Sequence, residues 1–175
     1  MSERTRLSLW DVVYAVNMAI ACAISYWIIT HALQRLTDRD SDLLGGMWAV
    51  AATVFVFRET RQDSFTAGVA RLIATCVSFA LCLLYLWFFP FTSWGMAALL
   101  GMGTLVMMLL NRRGDIVTTG ITTAVVMVVA AISPLNAWQQ PLLRLVDTIV
   151  GIAVGVACKW IASHVFLRIT GKHVQ

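Results

Sequence analysis

Six apolar stretches, separated by short polar breaks, divide the chain. A hydrocarbon crossing takes about 20 residues, and residues 12–33 supply the first, interrupted only by Asn17 and a few hydroxyls. Arg35, Asp38, Arg39, Asp40 and Asp42 then mark a polar loop over residues 34–42. The second stretch, 43–57, is short for a full crossing. A linker over 58–64 leads to the third, 65–89, which Pro90 ends. The fourth runs from Trp94-Gly95 to Leu110. Asn111-Arg112-Arg113-Gly114-Asp115 reads as a compact turn, with Asp115 placed to cap the fifth stretch, 116–132. After a loop over 133–140, Pro141 takes the first position of a sixth helix that continues to 167. The pattern predicts an all-α polytopic fold, with residues 1–175 as one membrane domain.

Composition turns that pattern into a class. Of 175 residues, 59% are hydrophobic and 13% charged, and the mean hydropathy is +0.80. Soluble domains carry roughly 25% charged residues, and a chain of this size folded in water buries only about 70% of its surface. An integral membrane protein is the consistent reading. Arg4 and Arg6 before the first stretch imitate a secretory signal, yet its 22 residues exceed the roughly 7–15 of a cleavable apolar region. Cys22, Cys76, Cys82 and Cys158 all fall inside apolar stretches, so neither a disulfide framework nor a metal site is expected.

Basic residues predict the orientation. With a cytoplasmic N-terminus, Arg4, Arg6, Arg58, Arg61, Arg112, Arg113, Arg168 and Lys172 collect inside, against Arg35, Arg39 and Arg144 outside. Both termini are therefore expected in the cytoplasm.

A short repeat adds internal symmetry. Arg71-Leu72-Ile73-Ala74-Thr75 opens the third apolar stretch, and Arg144-Leu145-Val146-Asp147-Thr148 opens the sixth, 73 positions later. Three crossings per half leave the halves inverted, as in many secondary transporters. Repeat A covers about 12–89 and repeat B about 95–167.

Ionisable groups inside apolar helices are costly and are functional candidates by default. Arg71 and Arg144, with Thr75 and Thr148 one turn deeper, are candidate substrate gates, since a guanidinium grips carboxylates bidentately. The bland alternative for Arg71 is an anchor that snorkels to the headgroups, because it lies about 9 Å into a helix starting at Phe65. The two arginines are expected toward opposite faces. Asp147, three residues after Arg144, reads as a structural ion pair or as a carrier of a coupling proton. Asn17 and the hydroxyls of Thr118, Thr119, Thr122 and Thr123 either line a path or bond neighbouring helices. Gly151 and Gly155 allow close helix packing, within one chain or between two. Trp10, Trp27, Trp87, Trp94 and Trp138 fit an interfacial belt. Trp48 and Trp160 sit deeper, and Trp48 offers a surface for an aromatic substrate. No phosphate loop, nucleophile elbow or paired catalytic carboxylate is present, so no enzyme and no cofactor are expected.

The chain resembles the membrane domain of the fusaric acid resistance and aromatic acid exporter family. The resemblance rests on Met47-Trp48-Ala49-Val50, matching a Trp-Ala pair that opens the second helix, and on Arg71-Leu72-Ile73-Ala74-Thr75, matching Arg-x-x-Gly-Thr with alanine for glycine. It covers most of the chain, read as a short member with the membrane block alone. It implies a bacterial inner-membrane unit exporting aromatic or other small organic anions, with a periplasmic adaptor subunit in Gram-negative members. A homo-oligomer in the lipid bilayer is expected, because six helices leave little wall around a path. Two functions follow from these readings: a proton-coupled exporter of organic acids, or a non-transporting membrane subunit that anchors or assembles a partner complex. The polar residues placed inside the third, fifth and sixth helices favour the exporter, since a scaffold has no need of them.

Overall fold

The computed structural model describes residues 9–32, 39–58, 60–132 and 139–170. All regular structure among them is helical: α1 (Leu9–Ala32), α2 (Arg39–Val56), α3 (Arg61–Phe88), α4 (Ser93–Leu109), a single 3-10 turn at Arg113–Asp115, α5 (Ile116–Ile132) and α6 (Gln139–Thr170). Among the described residues four segments are long and apolar enough to cross a membrane: Asp11–His31, Arg61–Phe88, Arg113–Ile132 and Gln139–His164. At 18 and 17 residues, α2 and α4 are the short ones, about 27 and 26 Å against a hydrocarbon core of about 30 Å.

Local chemistry explains the boundaries, including those that differ from the sequence reading. α3 begins at Arg61 rather than Phe65 because Thr60 caps it, accepting the Asp63 N–H at 3.0 Å while its hydroxyl donates to the Asp63 carboxylate at 2.7 Å. This is a reciprocal capping arrangement, and it converts most of the expected linker into helix. Thr92 caps α4 in the same manner, accepting the Gly95 N–H at 3.0 Å. Just past the end of α4, Asn111 turns the chain with a φ of 55° that suits asparagine, with Arg112 N–H bonded to Met107 O at 2.9 Å and Asn111 N–H to Met108 O at 3.0 Å. Asp115 does not cap α5 with its side chain, which instead pairs with Arg112 Nε at 2.7 Å inside the 3-10 turn. Pro141 is the third residue of α6, still within the first turn, where no N–H is missed.

α3 and α6 touch at the centre of the bundle. α2 lies against α6 and α5 against α3; α1 packs on α2 and α6, and α4 on α5 and α3. Exchanging the first three helices for the last three maps this set of pairings onto itself. The closest crossings repeat the relation in detail. Gly151 of α6 sits on the Ala49 carbonyl of α2, and Thr53 Oγ1 donates to Gly151 O at 3.0 Å. In the other pair, Ser78 Oγ of α3 donates to Thr119 O of α5 at 2.9 Å, and Thr123 Oγ1 donates to Ser78 Oγ at 3.1 Å. Ser78 and Gly151 are again 73 positions apart. Beneath the second crossing, Cys82, Leu99, Val126 and Met127 close an apolar core.

The surface is apolar. Trp27, Trp87 and Trp94 are exposed, as an interfacial belt requires, whereas Trp138 lies outside the described residues. Trp160 is also exposed and carries the Arg61 guanidinium over its ring, so it is not the deep residue expected. Between α3 and α6 an apolar groove opens outward, lined by Phe65, Gly68, Val69, Ile152, Val156 and Trp160 among others.

Gly151 and Gly155 thus pack α6 against α2 of the same chain. A Cβ at position 151 would run into the Ala49 carbonyl and approach the Ala52 Cβ to 2.8 Å, whereas one at Gly101 would meet nothing within 4 Å. Replacing Gly151 with leucine should therefore overpack the α2–α6 crossing and cost about 3 kcal/mol or more. Gly101→Leu should stay within about 0.5 kcal/mol. Thermal unfolding of the two purified variants, followed by size-exclusion profile, checks the contrast.

Candidate functional site

The charged interior of the bundle is built on α3 and α6. Among the described residues the buried charged side chains are Arg71, Arg144 and Asp147. Arg71 is ten residues beyond the start of α3, about 15 Å along the axis, and only 3% of it is exposed. Burial among neighbouring helices does not suit a side chain that snorkels to the headgroups. Arg144 lies five residues into α6, 2% exposed, and Asp147 is fully buried.

The two arginines are held differently. Arg144 Nη1 contacts Asp147 Oδ2 at 3.0 Å, an i,i+3 ion pair shut inside the protein. Gly45 of α2 makes room for it: a Cβ there would lie 3.0 Å from Asp147 Oδ1. Arg71 has no such partner. No hydrogen-bond acceptor among the described residues reaches its Nε, Nη1 or Nη2. Its guanidinium carbon instead lies 4.5 Å from the centre of the Phe55 ring and 5.4 Å from that of Trp48. Cation–π contact is worth about 2 kcal/mol when desolvated, well short of the several kcal/mol needed to bury an ion. The Thr75 hydroxyl, one turn along and equally buried, also lacks a partner among the described residues.

Trp48 joins the two arrangements. One contact of its ring is the Arg71 guanidinium, and its indole N–H donates to Thr148 Oγ1 at 3.1 Å. Thr148 in turn donates to Arg144 O at 2.7 Å. Arg71 through its guanidinium, and Arg144 through its backbone carbonyl by way of Thr148, are therefore tied to one indole, because α2 lies beside both central helices. Phe55, 40% exposed, also lies against Arg71.

The remaining sequence candidates lie elsewhere. Thr119, Thr122 and Thr123 are buried, but their hydroxyls bond Asp115 O, Thr118 O and Ser78 Oγ. They fasten α5 to itself and to α3. Thr118 and Asn17 are half-buried, away from these contacts. Three participants escaped the sequence reading: Phe55, Gly45 and Gln140, which is 3% exposed with its Oε1 unpartnered. Spacing held the clue. Phe55 is seven residues from Trp48, Gly45 three before it, and Gln140 four before Arg144, each on the same helical face.

An all-helical bundle with long apolar spans defines a multi-pass membrane protein. The chain belongs to the fusaric acid resistance protein-like family, whose model matches residues 20–158. Comparison with curated proteins and with solved structures finds no match.

The unequal pairing of the two arginines predicts unequal mutational cost. Arg144→Met breaks the buried ion pair with Asp147 and should destabilise by about 3–5 kcal/mol. Arg71→Met orphans nothing, removes a buried charge, and should be neutral or stabilising. Melting temperatures of both variants in one detergent test this; equal losses would mean that Arg71 has a partner of its own.

Proposed function

We propose that this protein exports organic carboxylic acids, aromatic ones in the first place, across the bacterial inner membrane, and that Arg71 is where the carboxylate binds. The observation that carries this is a guanidinium buried against Trp48 and Phe55 with no acceptor at its three nitrogens. Such a group is costly to bury, and its fork is built to receive a planar carboxylate. A substrate that brings its own carboxylate and an aromatic face satisfies the charge and the two rings together. Thr75 supplies a further hydroxyl. Family membership points to the same class of activity. The chemistry is translocation, with no catalytic residue.

Access passes Phe55, the exposed half of the sandwich. Arg144, Thr148 and Gln140 form the corresponding station on α6, and Asp147 carries the coupling proton. When Asp147 is protonated its hold on Arg144 weakens, and the guanidinium is released for substrate. The self-mapping pattern of helix pairings supports two related three-helix repeats in one domain, and the distribution of basic residues orients them as inverted halves with six crossings and both termini in the cytoplasm. α2 and α4 then cross slightly thinned bilayer. The unit works as an oligomer, with an adaptor subunit on the periplasmic side.

The transport test is conservative. Arg71→Lys keeps the charge but loses the fork, and should lower organic-acid export at least tenfold at unchanged membrane yield. Arg144→Lys should be milder, because Asp147 still holds the ammonium. Asp147→Asn should uncouple export from proton movement. Counterflow assays in liposomes at matched protein level decide; wild-type export by both lysine variants would remove the arginines from the mechanism. Orientation is checked separately by single cysteines in a cysteine-free background. A cysteine at Ser93 should label from outside intact cells and one at Asn111 should stay protected.

A further inference from the structure

We propose that the outward groove between α3 and α6 holds an acyl chain of an anionic phospholipid, with the lipid phosphate seated on Arg61. The groove has a volume of about 580 Å³ and is walled by Phe65, Gly68, Leu72, Ile152, Ala157 and Trp160 among others. Apart from the Trp160 indole these walls are hydrocarbon, so a polar ligand would be desolvated there without recompense. One end carries a charge. Arg61, the first residue of α3, lies with its guanidinium carbon 5.6 Å from the centre of the Trp160 ring. No carboxylate among the described residues reaches it, since the ion pairs there join Arg112 to Asp115 and Arg144 to Asp147. A ring face uses none of the guanidinium N–H donors, which are left for a phosphate to accept.

The dimensions suit a lipid tail. From Arg61 to Leu72 is eleven residues along α3, about 17 Å. Half of a hydrocarbon core of about 30 Å is much the same, so the groove follows one leaflet from the headgroup level inward. On the orientation given by the basic residues, that leaflet is the cytoplasmic one. Arg58 is exposed at this level, and the Lys159 ammonium lies 5.0 Å from the Tyr14 ring and 5.4 Å from the Phe57 ring. A second copy of the chain is a poorer occupant. Two copies related by an axis along the membrane normal would bring Arg58, Arg61 and Lys159 of both to one level, like charge against like. An anionic lipid supplies the opposite sign at that level and an apolar tail beyond it. Seated there, it braces α3 against α6, the two helices that carry the buried arginines. None of this depends on what binds at Arg71.

The test titrates the full chain, purified in detergent, with dioleoyl phosphatidylglycerol, dioleoyl phosphatidylcholine and inorganic phosphate, followed by native mass spectrometry and thermal shift. The two lipids share their chains and their phosphate, but only the first carries a net charge. Phosphatidylglycerol should form a single-lipid adduct, raise the melting temperature and bind about fivefold more tightly than phosphatidylcholine. Inorganic phosphate should leave the melting temperature unchanged. Arg61→Gln should lower phosphatidylglycerol affinity about fivefold, to the level of phosphatidylcholine. Ala157→Phe fills the groove from an exposed position and should weaken both lipids while the lipid-free protein melts as before. Equal binding of the two lipids by the unaltered chain would overturn the inference, and that comparison needs no variant. A phosphatidylglycerol preference that survives Arg61→Gln would put the headgroup elsewhere, and undiminished lipid binding by Ala157→Phe would put the tail elsewhere; either result overturns it. So would stabilisation by inorganic phosphate alone, which would show an ion site without a tail. A dimer that Ala157→Phe abolishes, with no lipid adduct, would make the groove an interface between copies and overturn it as well.

Discussion

A guanidinium taken out of water among apolar helices costs several kcal/mol unless something compensates it, and this bundle buries two. Arg144 is compensated within its own helix by Asp147 at 3.0 Å, an arrangement that any α-helix makes available at i,i+3. Arg71 has alanine at the matching place, and the rest of the fold must accommodate the difference. It does so with aromatic rings, whose attraction for a cation recovers only part of the cost. The bundle is thus stable enough to hold Arg71 inside while leaving its hydrogen-bonding capacity unused. That combination separates Arg71 from the structural ion pair of Arg144.

The scaffold that makes this possible is close backbone packing rather than a large apolar core. α2 meets α6 where Gly151 sits on the Ala49 carbonyl, and Thr53 ties the crossing to both Gly151 O and Ser25 of α1, the latter at 2.6 Å. Within lipid there is little hydrophobic drive to bring helices together, so small residues and interhelical hydroxyl bonds do so instead. The consequence for function is positional. Because α2 is drawn tightly against α6, Trp48 reaches Thr148, and the same indole remains beside Arg71. Both repeats of the arginine–threonine motif are brought to one residue by the helix between them.

The two halves use the same crossing differently. Ser78, at the place matching Gly151, bonds the Thr119 carbonyl directly, and Thr123 closes a polar knot around it. The threonines of α5 are absorbed in that knot, which is why they hold helices together and do not face Arg71. One half is a tight, hydroxyl-locked contact; the other encloses the charged residues.

Much was legible from the chain alone: six apolar stretches, their near ends, a membrane setting, and the Arg71 and Arg144 repeats, all because length and apolar run are local properties. The start of α3 was legible too, in Thr60-x-x-Asp63, a capping signal that the polar look of the linker concealed. What only the tertiary structure decided is which face of each helix looks inward. In water an amphipathic stripe announces the buried face; in lipid both faces are apolar, and that signal vanishes. Hence Arg71 read equally well as a snorkelling anchor, Gly151 as a contact between chains, and Phe55 as one apolar residue among many. Packing alone placed Arg71 between Trp48 and Phe55, because contacts between helices depend on side-chain shape at the crossings, and no periodicity in the sequence records that shape.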